Sequence, residues 1–302
     1  MCRKVFKISA LVIVLIIIII AIYYFMMLNK KGTGEAREFI VRSGQSTSEI
    51  GQNLQNDGLI KSAFVFTWYT RLQGDLIQIG VYKLSPSQNI KEILSILASG
   101  KASEYFVTVP EGWRVTQIDE LLAEKNIIKK GDFTKIASAD EGYLFPDTYR
   151  FMPDSKAEDV KTEMMNDFNL KTKDLKITRD VIILASIVER EAKFDEDRSK
   201  IAGVYLNRIA KNMKLEADPT IQYAKGSWDQ IKQSDYKFVS PYNTYLNPGL
   251  PPGPICNPGL KSIEAVLNPE KSDNLFFFHK DDGHAVYSVT AEEHAANLKK
   301  YQ

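Results

Sequence analysis

The longest feature of the hydropathy pattern is an unbroken apolar run. Residues Ile8 to Leu28 are apolar except for Ser9 and the phenols of Tyr23 and Tyr24. As a helix, 21 residues span roughly 30 Å, the thickness of a bilayer's hydrocarbon core. The run ends on bulky Tyr23-Tyr24-Phe25-Met26-Met27, not on the small residues of a cleavage site. It therefore reads as an uncleaved signal anchor, with the two tyrosines at the far interface. Past a short polar stretch (Asn29 to Arg37), the pattern becomes a repeat with an offset of 68 residues. FIVRSGQSTSEIGQNLQNDGLIKS from Phe39 aligns with VTVPEGWRVTQIDELLAEKNIIKKG from Val107. Val41, Gly44, Ile50, Leu54, Ile60 and Lys61 match Val109, Gly112, Ile118, Leu122, Ile128 and Lys129. Each copy predicts strand, glycine turn, short helix and a turn into a new element. Ser46 and Glu49 make a capping box in the first copy, and Thr116 is the predicted N-cap in the second. A true duplication and a merely recurring supersecondary unit fit this pattern equally.

Between the copies, Ser62 opens a predicted helix with Phe64, Val65, Trp68, Tyr69 and Leu72 at helical spacing. A strand is predicted over 77–84. Asn89 caps a helix with Ile90, Ile93, Leu94 and Leu97 on one face, stopped at Ser99-Gly100. From Thr178 a long helix reads TRDVIILASIVEREAK, and a second carries Ile201, Val204, Tyr205 and Ile209. Then come loops rich in Pro, Gly, Asn and Tyr: DPTIQYAKG and SPYNTYLNPGLPPGPICNPG. Long aromatic loops of this kind usually bind something. A hairpin turned at Asp282-Gly283 and a helix over Ala291 to Tyr301 close the chain. The fold class is α+β.

Composition changes this picture in one respect. The 302 residues carry 39 Lys+Arg and 38 Asp+Glu, a net charge of +1. The charges within residues 1–28 are Arg3, Lys4 and Lys7, all basic, so the remainder stands at −2. A near-neutral outer part argues against a nucleic-acid partner held by a global basic field. Positive charge lies on both sides of the apolar run, and the amino terminus is placed inside with the C-terminal bulk outside. Cys2 and Cys256 would then lie on opposite faces of the membrane, so no intrachain disulfide is expected.

Candidate chemistry centres on the helix from Thr178. Glu189 and Glu191 are two positions apart, about 200° around a helix, and cannot share a face. Glu191 shares its face with Leu184, Ile187 and Val188. A carboxylate ending an apolar stripe is partly desolvated, which raises its pKa toward that of a general acid. The plain alternative is the polar end of an amphipathic helix. Glu189 shares a face with Ile182, Ala185 and Ser186 and reads as a supporting or substrate-contacting group. His279, His284 and His294 fall close together, but no HExxH or paired-Cys pattern accompanies them, and no metal or cofactor is expected. Neither a G-x-S-x-G nor a phosphate-binding glycine pattern occurs. EGYLFPDTYRF (Glu141 to Phe151) and Tyr242-Asn243-Thr244-Tyr245 mix aromatics with small polar residues. That mixture suits a glycan groove, although aromatic core packing explains part of it.

Five ordered stretches, EGYLFPDTY, ASIVEREA, LEADPTIQYA, SPYNTYLNPGLPPGPICNPG and the tail around Phe277 to Asn297, resemble the YceG-like (MltG) endolytic murein transglycosylases. The resemblance covers most of residues 38 to 302. Two departures are a short segment before EGYLFPDTY and Cys256-Asn257 where small residues are common. The resemblance implies cleavage of the MurNAc-β-1,4-GlcNAc bond within nascent strands, leaving 1,6-anhydro ends. It places the catalytic carboxylate on Glu191. Glu189, Asp147, Thr148, Tyr149, Asp218, Thr220, Tyr223, Tyr242, Asn243, Thr244 and Tyr245 are the expected substrate contacts. It also implies a layout of cytoplasmic tail (1–7), transmembrane helix (8–28), linker (29–37), LysM-like module (38–103) and catalytic domain (104–302). Expected partners are peptidoglycan strands, the membrane and the strand-polymerising penicillin-binding proteins. The rival readings are a non-catalytic wall-binding scaffold and a muramidase-type hydrolase using Glu189 or Asp218 as second carboxylate.

Overall fold

The computed structural model describes residues 2–42, 44–100 and 106–301, with side chains from residue 11 onward. The expected domain boundary between 103 and 104, and the side chains of Cys2, Arg3, Lys4 and Lys7, lie outside the described residues. The chain forms two compact units. One comprises Met1–Phe106 and Arg150–Asp154, the other Val107–Tyr149 and Ser155–Gln302.

The first unit begins with helix α1 (Cys2–Asn29), so residues 2–7 continue the apolar helix. From Leu11 to Asn29 it is long and apolar enough to cross a membrane. Strand β1 (Arg37–Val41), helix α2 (Thr47–Asn56), helix α3 (Ala63–Gln73), strand β2 (Gly80–Leu84) and helix α4 (Ile90–Ala98) follow. β1 and β2 pair antiparallel, from Arg37 opposite Leu84 to Val41 opposite Gly80. The strand expected over 77–84 starts only at Gly80, because β1 ends there and offers 77–79 no partner. Capping boxes at Ser46/Glu49 and Asn89/Glu92 start α2 and α4. The core joins Phe39, Val41, Ile50, Leu54, Phe66, Tyr82 and the apolar face of α4. Leu28 of α1 is buried in the same core, with Tyr24 and Met27 packed against it. The stretch over 29–37 is tied down as well. Gly32 N donates to Pro86 O, Ser85 Oγ donates to Gly34 O, and Lys31 pairs with Glu92.

The expected face of α3 needs correction. Val65, Phe66, Thr67 and Thr70 are the buried positions, with Tyr69 partly buried. Phe64, Trp68 and Leu72 face outward at 67%, 47% and 69% exposure. Phe66 wins the core position because Gly51 of α2 leaves room for its ring.

The second unit contains β3 (Phe106–Thr108), which enters from the first, then α5 (Val115–Glu124), α6 (Asp132–Ala137), a 3₁₀ turn (Ser138–Asp140) and β4 (Thr148–Arg150). Next come α7 (Ala157–Lys171), α8 (Arg179–Glu191), α9 (Asp195–Ala210), α10 (Asp218–Lys225), a 3₁₀ turn (Asp235–Lys237) and α11 (Leu260–Leu267). The hairpin β5 (Phe276–His279) and β6 (Ala285–Ser288) and helix α12 (Ala291–Tyr301) finish it. β3 pairs with β4. Helix α8 is central, with every residue from Ile182 to Val188 buried.

Both repeat copies take the predicted form. Gly44 and Gly112 turn with φ of +79° and +75°, a conformation that favours glycine. The matched Val, Ile and Leu positions are buried in each copy. The N-cap of α5 is Arg114, not Thr116. The orphan amide of Val115 donates instead to the carboxylate of Glu141, a long-range substitute for a cap side chain.

Candidate active site

Helix α8 is started by Thr178, whose hydroxyl accepts from Val181 N, and ends at Glu191. Ala192 then turns to an extended conformation (φ −71°, ψ 120°). Glu191 thus sits in the last helical turn, where unpaired carbonyls disfavour a negative charge. Its side chain meets α9: Tyr205 Oη donates to Glu191 Oε1 at 2.8 Å. The cavity holding them has a volume of about 240 Å³. Its other walls are Arg208, Leu215, Glu216, Asp218, Tyr245, Phe277, Phe278 and His279.

Burial is the main force pushing the Glu191 carboxyl from 4.5 up to about 7, helped by the nearby charge of Asp218. The Tyr205 hydrogen bond and the Arg208 charge pull the other way. Burial lowers the His279 imidazole, keeping it neutral at physiological pH. Burial and the Asp218 carboxylate both raise the Tyr245 phenol, so it remains a donor, and its Oη gives a 2.8 Å bond to Asp218 Oδ1.

The loops are held by buried polar side chains. Arg208, one turn past Tyr205, donates to the carbonyls of Leu275, Lys214 and Leu215 and to Glu216. Glu216 has φ +53°, a strained value for a non-glycine residue. Arg208 and the bond from Glu216 N to Thr244 O hold it there. This turn delivers Asp218 to the start of α10. Thr220 and Thr244 are fully buried and share a hydroxyl contact at 3.0 Å, while Thr244 Oγ1 accepts from Ala217 N. Asn243 donates to Tyr236 O and Phe238 O and accepts from Tyr245 N. Thr220, Asn243 and Thr244 therefore position Asp218 and Tyr245 from below. They offer no surface to a ligand.

The remaining expected contacts lie elsewhere. Glu189 is turned to the other side of α8, where it pairs with Arg198 at 3.2 Å and accepts from Gly259 N. Asp147 is ion-paired with Lys171, and Thr148 bonds Thr108. Tyr149 is buried and donates to Phe145 O. Leu144, Phe145 and Phe151 are buried as well, so this aromatic segment is core. Tyr223 and Tyr242 pack on each other with ring centroids 4.8 Å apart, outside the cavity wall. His284 stacks on Phe194, and His294 contacts Phe276 and Phe278. Cys256 is buried as a free thiol.

Sequence reading missed Tyr205, Arg208, Phe277, Phe278 and His279 as cavity residues. The i, i+3 spacing of Tyr205 and Arg208 on α9 was the available signal for the first two.

Opposite shifts are expected from two conservative changes. Tyr205→Phe removes a bond that favours ionised Glu191, so its pKa rises. Asp218→Asn removes a charge that disfavours it, so its pKa falls. If protonated Glu191 is the active form, the alkaline limb of kcat/KM against pH moves up in the first variant and down in the second. Limbs moving together would contradict this assignment.

A carboxyl that burial pushes up to about 7, bonded by a tyrosine in a cavity walled partly by aromatics, is the arrangement that general acid–base chemistry needs. The chain belongs to the YceG-like family, whose model matches residues 39–300. It is 36% identical to the endolytic murein transglycosylase of Bacillus subtilis, an alignment covering 86% of this chain and 83% of that protein. It is 31% identical to the endolytic murein transglycosylase of Streptococcus pneumoniae, over 86% of this chain but 57% of the longer relative. The crystal structure of a YceG-like protein from Listeria monocytogenes superposes with a TM-score of 0.59 at 33% identity, covering 88% of this chain and all of that one.

Proposed function

We propose that this chain is a membrane-anchored endolytic murein transglycosylase that cleaves the MurNAc-β-1,4-GlcNAc bond within glycan strands. The observation that carries this reading is the Tyr205-bonded Glu191, pushed up to about 7 by burial and lining a cavity, in a chain whose relatives bear that name. Glu191 donates its proton to the bridging oxygen as the bond from C1 to that oxygen breaks. The muramic C6 hydroxyl then bonds to C1 and returns its proton to Glu191. The product carries a 1,6-anhydro ring and no water is consumed. Because the nucleophile is internal, its positioning replaces much of what a second carboxylate would supply. Phe277, Phe278 and Tyr245 offer apolar surface to sugar faces, and Asp218 faces the charge that develops at C1.

Helix α1 serves as a single-pass anchor with the C-terminal bulk outside the cell. The order β1, α2, α3, β2 supports a LysM-like role in gripping glycan for the first unit. Strand-polymerising penicillin-binding proteins are the proposed protein partners, since their product is the substrate.

Asp218 in the same cavity as Glu191 keeps a hydrolytic reading in view. Digestion of murein in ¹⁸O-labelled water, followed by mass spectrometry, separates the three outcomes. Unlabelled anhydro ends are expected. Labelled reducing ends would make the protein a hydrolase, and binding without new ends would make it a scaffold.

A further inference from the structure

The first unit carries an apolar surface that its own core does not use. Phe64, Trp68 and Leu72 recur every four residues along α3 and form one outward stripe, with the Phe64 and Trp68 rings 6.1 Å apart. Leu76 and Ile79, in the loop leading to β2, are exposed as well. Five large apolar side chains in one segment of 16 residues form an unusual cluster for a surface facing water.

The position of α3 indicates what covers them. Tyr24, Met27 and Leu28 of α1 pack into the same core as Tyr69 of α3, and α1 touches α3 directly. On the α3 wheel, Tyr69 lies beside the stripe, between Leu72 and the buried face. Tyr24 precedes the helix end at Asn29 by five residues, roughly 7.5 Å along the axis. Residues Leu11 to Phe25 of α1 are themselves apolar and mostly exposed. The stripe therefore begins where the lipid-facing surface of α1 leaves off, at the level of its last turns. Lys30 directly after α1, Lys61 two residues before α3 and Arg71 within α3 are exposed cations suited to anionic headgroups, and tryptophan is a side chain at home at that depth.

We propose that Phe64, Trp68, Leu72, Leu76 and Ile79 dip into the outer interface of the bilayer, so that the first unit lies on the membrane beside its anchor. This rests on the reading of α1 as a membrane anchor. With Leu28 buried in the unit and 29–37 bonded to it, the anchor cannot swing freely, and the stripe gives the unit a second hold on the lipid.

The test uses the full chain in vesicles of phosphatidylglycerol and phosphatidylethanolamine, with and without lipids brominated near the headgroup. The chain has three tryptophans, so wild-type emission minus that of Trp68→Phe isolates Trp68. Brominated lipid is expected to reduce that component about twofold, as for an interfacial indole. The exposed pair Phe64→Ser/Leu72→Ser is expected to relieve most of the quenching. Alkaline carbonate extraction runs in parallel. A chain that resists extraction while Trp68 stays unquenched overturns the inference and leaves the anchor intact. A chain released by carbonate overturns the anchor reading, and the inference with it. Trp68 emission that responds to soluble murein fragments but not to brominated lipid would make the stripe a glycan face, which also overturns it.

Discussion

Glu191→Gln is expected to abolish turnover while making the folded protein more stable above neutral pH. General acid–base catalysis contributes about 10²- to 10⁴-fold, and here one group serves as acid and then as base. A loss of about 10³-fold or more in kcat is therefore expected, with KM little changed. Gln keeps the shape and can still accept the Tyr205 hydrogen bond, so the loss reports proton transfer. The stability effect follows from the same burial. In the unfolded chain the carboxyl ionises at its ordinary value of 4.5, and in the fold only at about 7. Folding thus retains a proton, and stability declines as pH rises from 4.5 to 7, then stays reduced. The full difference is at most about 3 kcal/mol. Gln has no such penalty. Urea unfolding of the two proteins should give similar values near pH 4 and a more stable variant at pH 8. A variant that retains wild-type turnover would remove Glu191 from the mechanism. Equal stabilities at pH 8 would show that the fold does not raise the pKa of this carboxyl.

The facial argument separated Glu191 from Glu189 because that step depends only on helix geometry: one side chain meets Tyr205 and the other Arg198. Which face is apolar did not discriminate them, since every residue from Ile182 to Val188 is buried. The repeat was legible because its matched positions are core positions, and core positions recur. Substrate contacts were less legible. Aromatic residues interleaved with Asp and Thr describe both a glycan groove and a core strand, and periodicity does not separate them. The segment around Tyr149 proved to be core, whereas Tyr245 proved to line the cavity. Tyr205 was visible only as a helical apolar position, since its partnership with Glu191 depends on how α8 and α9 pack. On α3, Phe64 and Leu72 fitted the helical period but faced outward, because hydrophobicity alone does not say which of two apolar stripes a core takes.

Asn257 is expected to be among the most sensitive positions for stability. It is buried to 1% exposure, and its side chain closes four hydrogen bonds. Oδ1 accepts from Gly142 N and Leu144 N, while Nδ2 donates to Trp113 O and Glu141. One amide thus joins the turn before α5, the segment containing Glu141, and the loop that follows Cys256. That loop is tied in turn to α8, where Ile255 N donates to Ser186 Oγ. Asn257→Ala would strand the two buried amides of Gly142 and Leu144, and would take one donor each from Trp113 O and the Glu141 carboxyl, which keep Asn257 N and Val115 N as donors. At about 1–3 kcal/mol for each unsatisfied group, and with some relaxation, the expected cost is about 4 kcal/mol. In a unit of this size that lowers Tm by about 10 °C, measurable by calorimetry. Asn257→Asp separates the two halves of the role. It keeps both acceptor bonds but loses the donors and sets a second carboxyl against Glu141, which burial has already pushed up to about 7. Two adjacent carboxylates repel only when both are ionised, so this variant should be destabilised more at pH 8 than at pH 5. A Tm for Asn257→Ala within 2 °C of wild type, roughly the shift expected from under 1 kcal/mol, would show that the four bonds add nothing net.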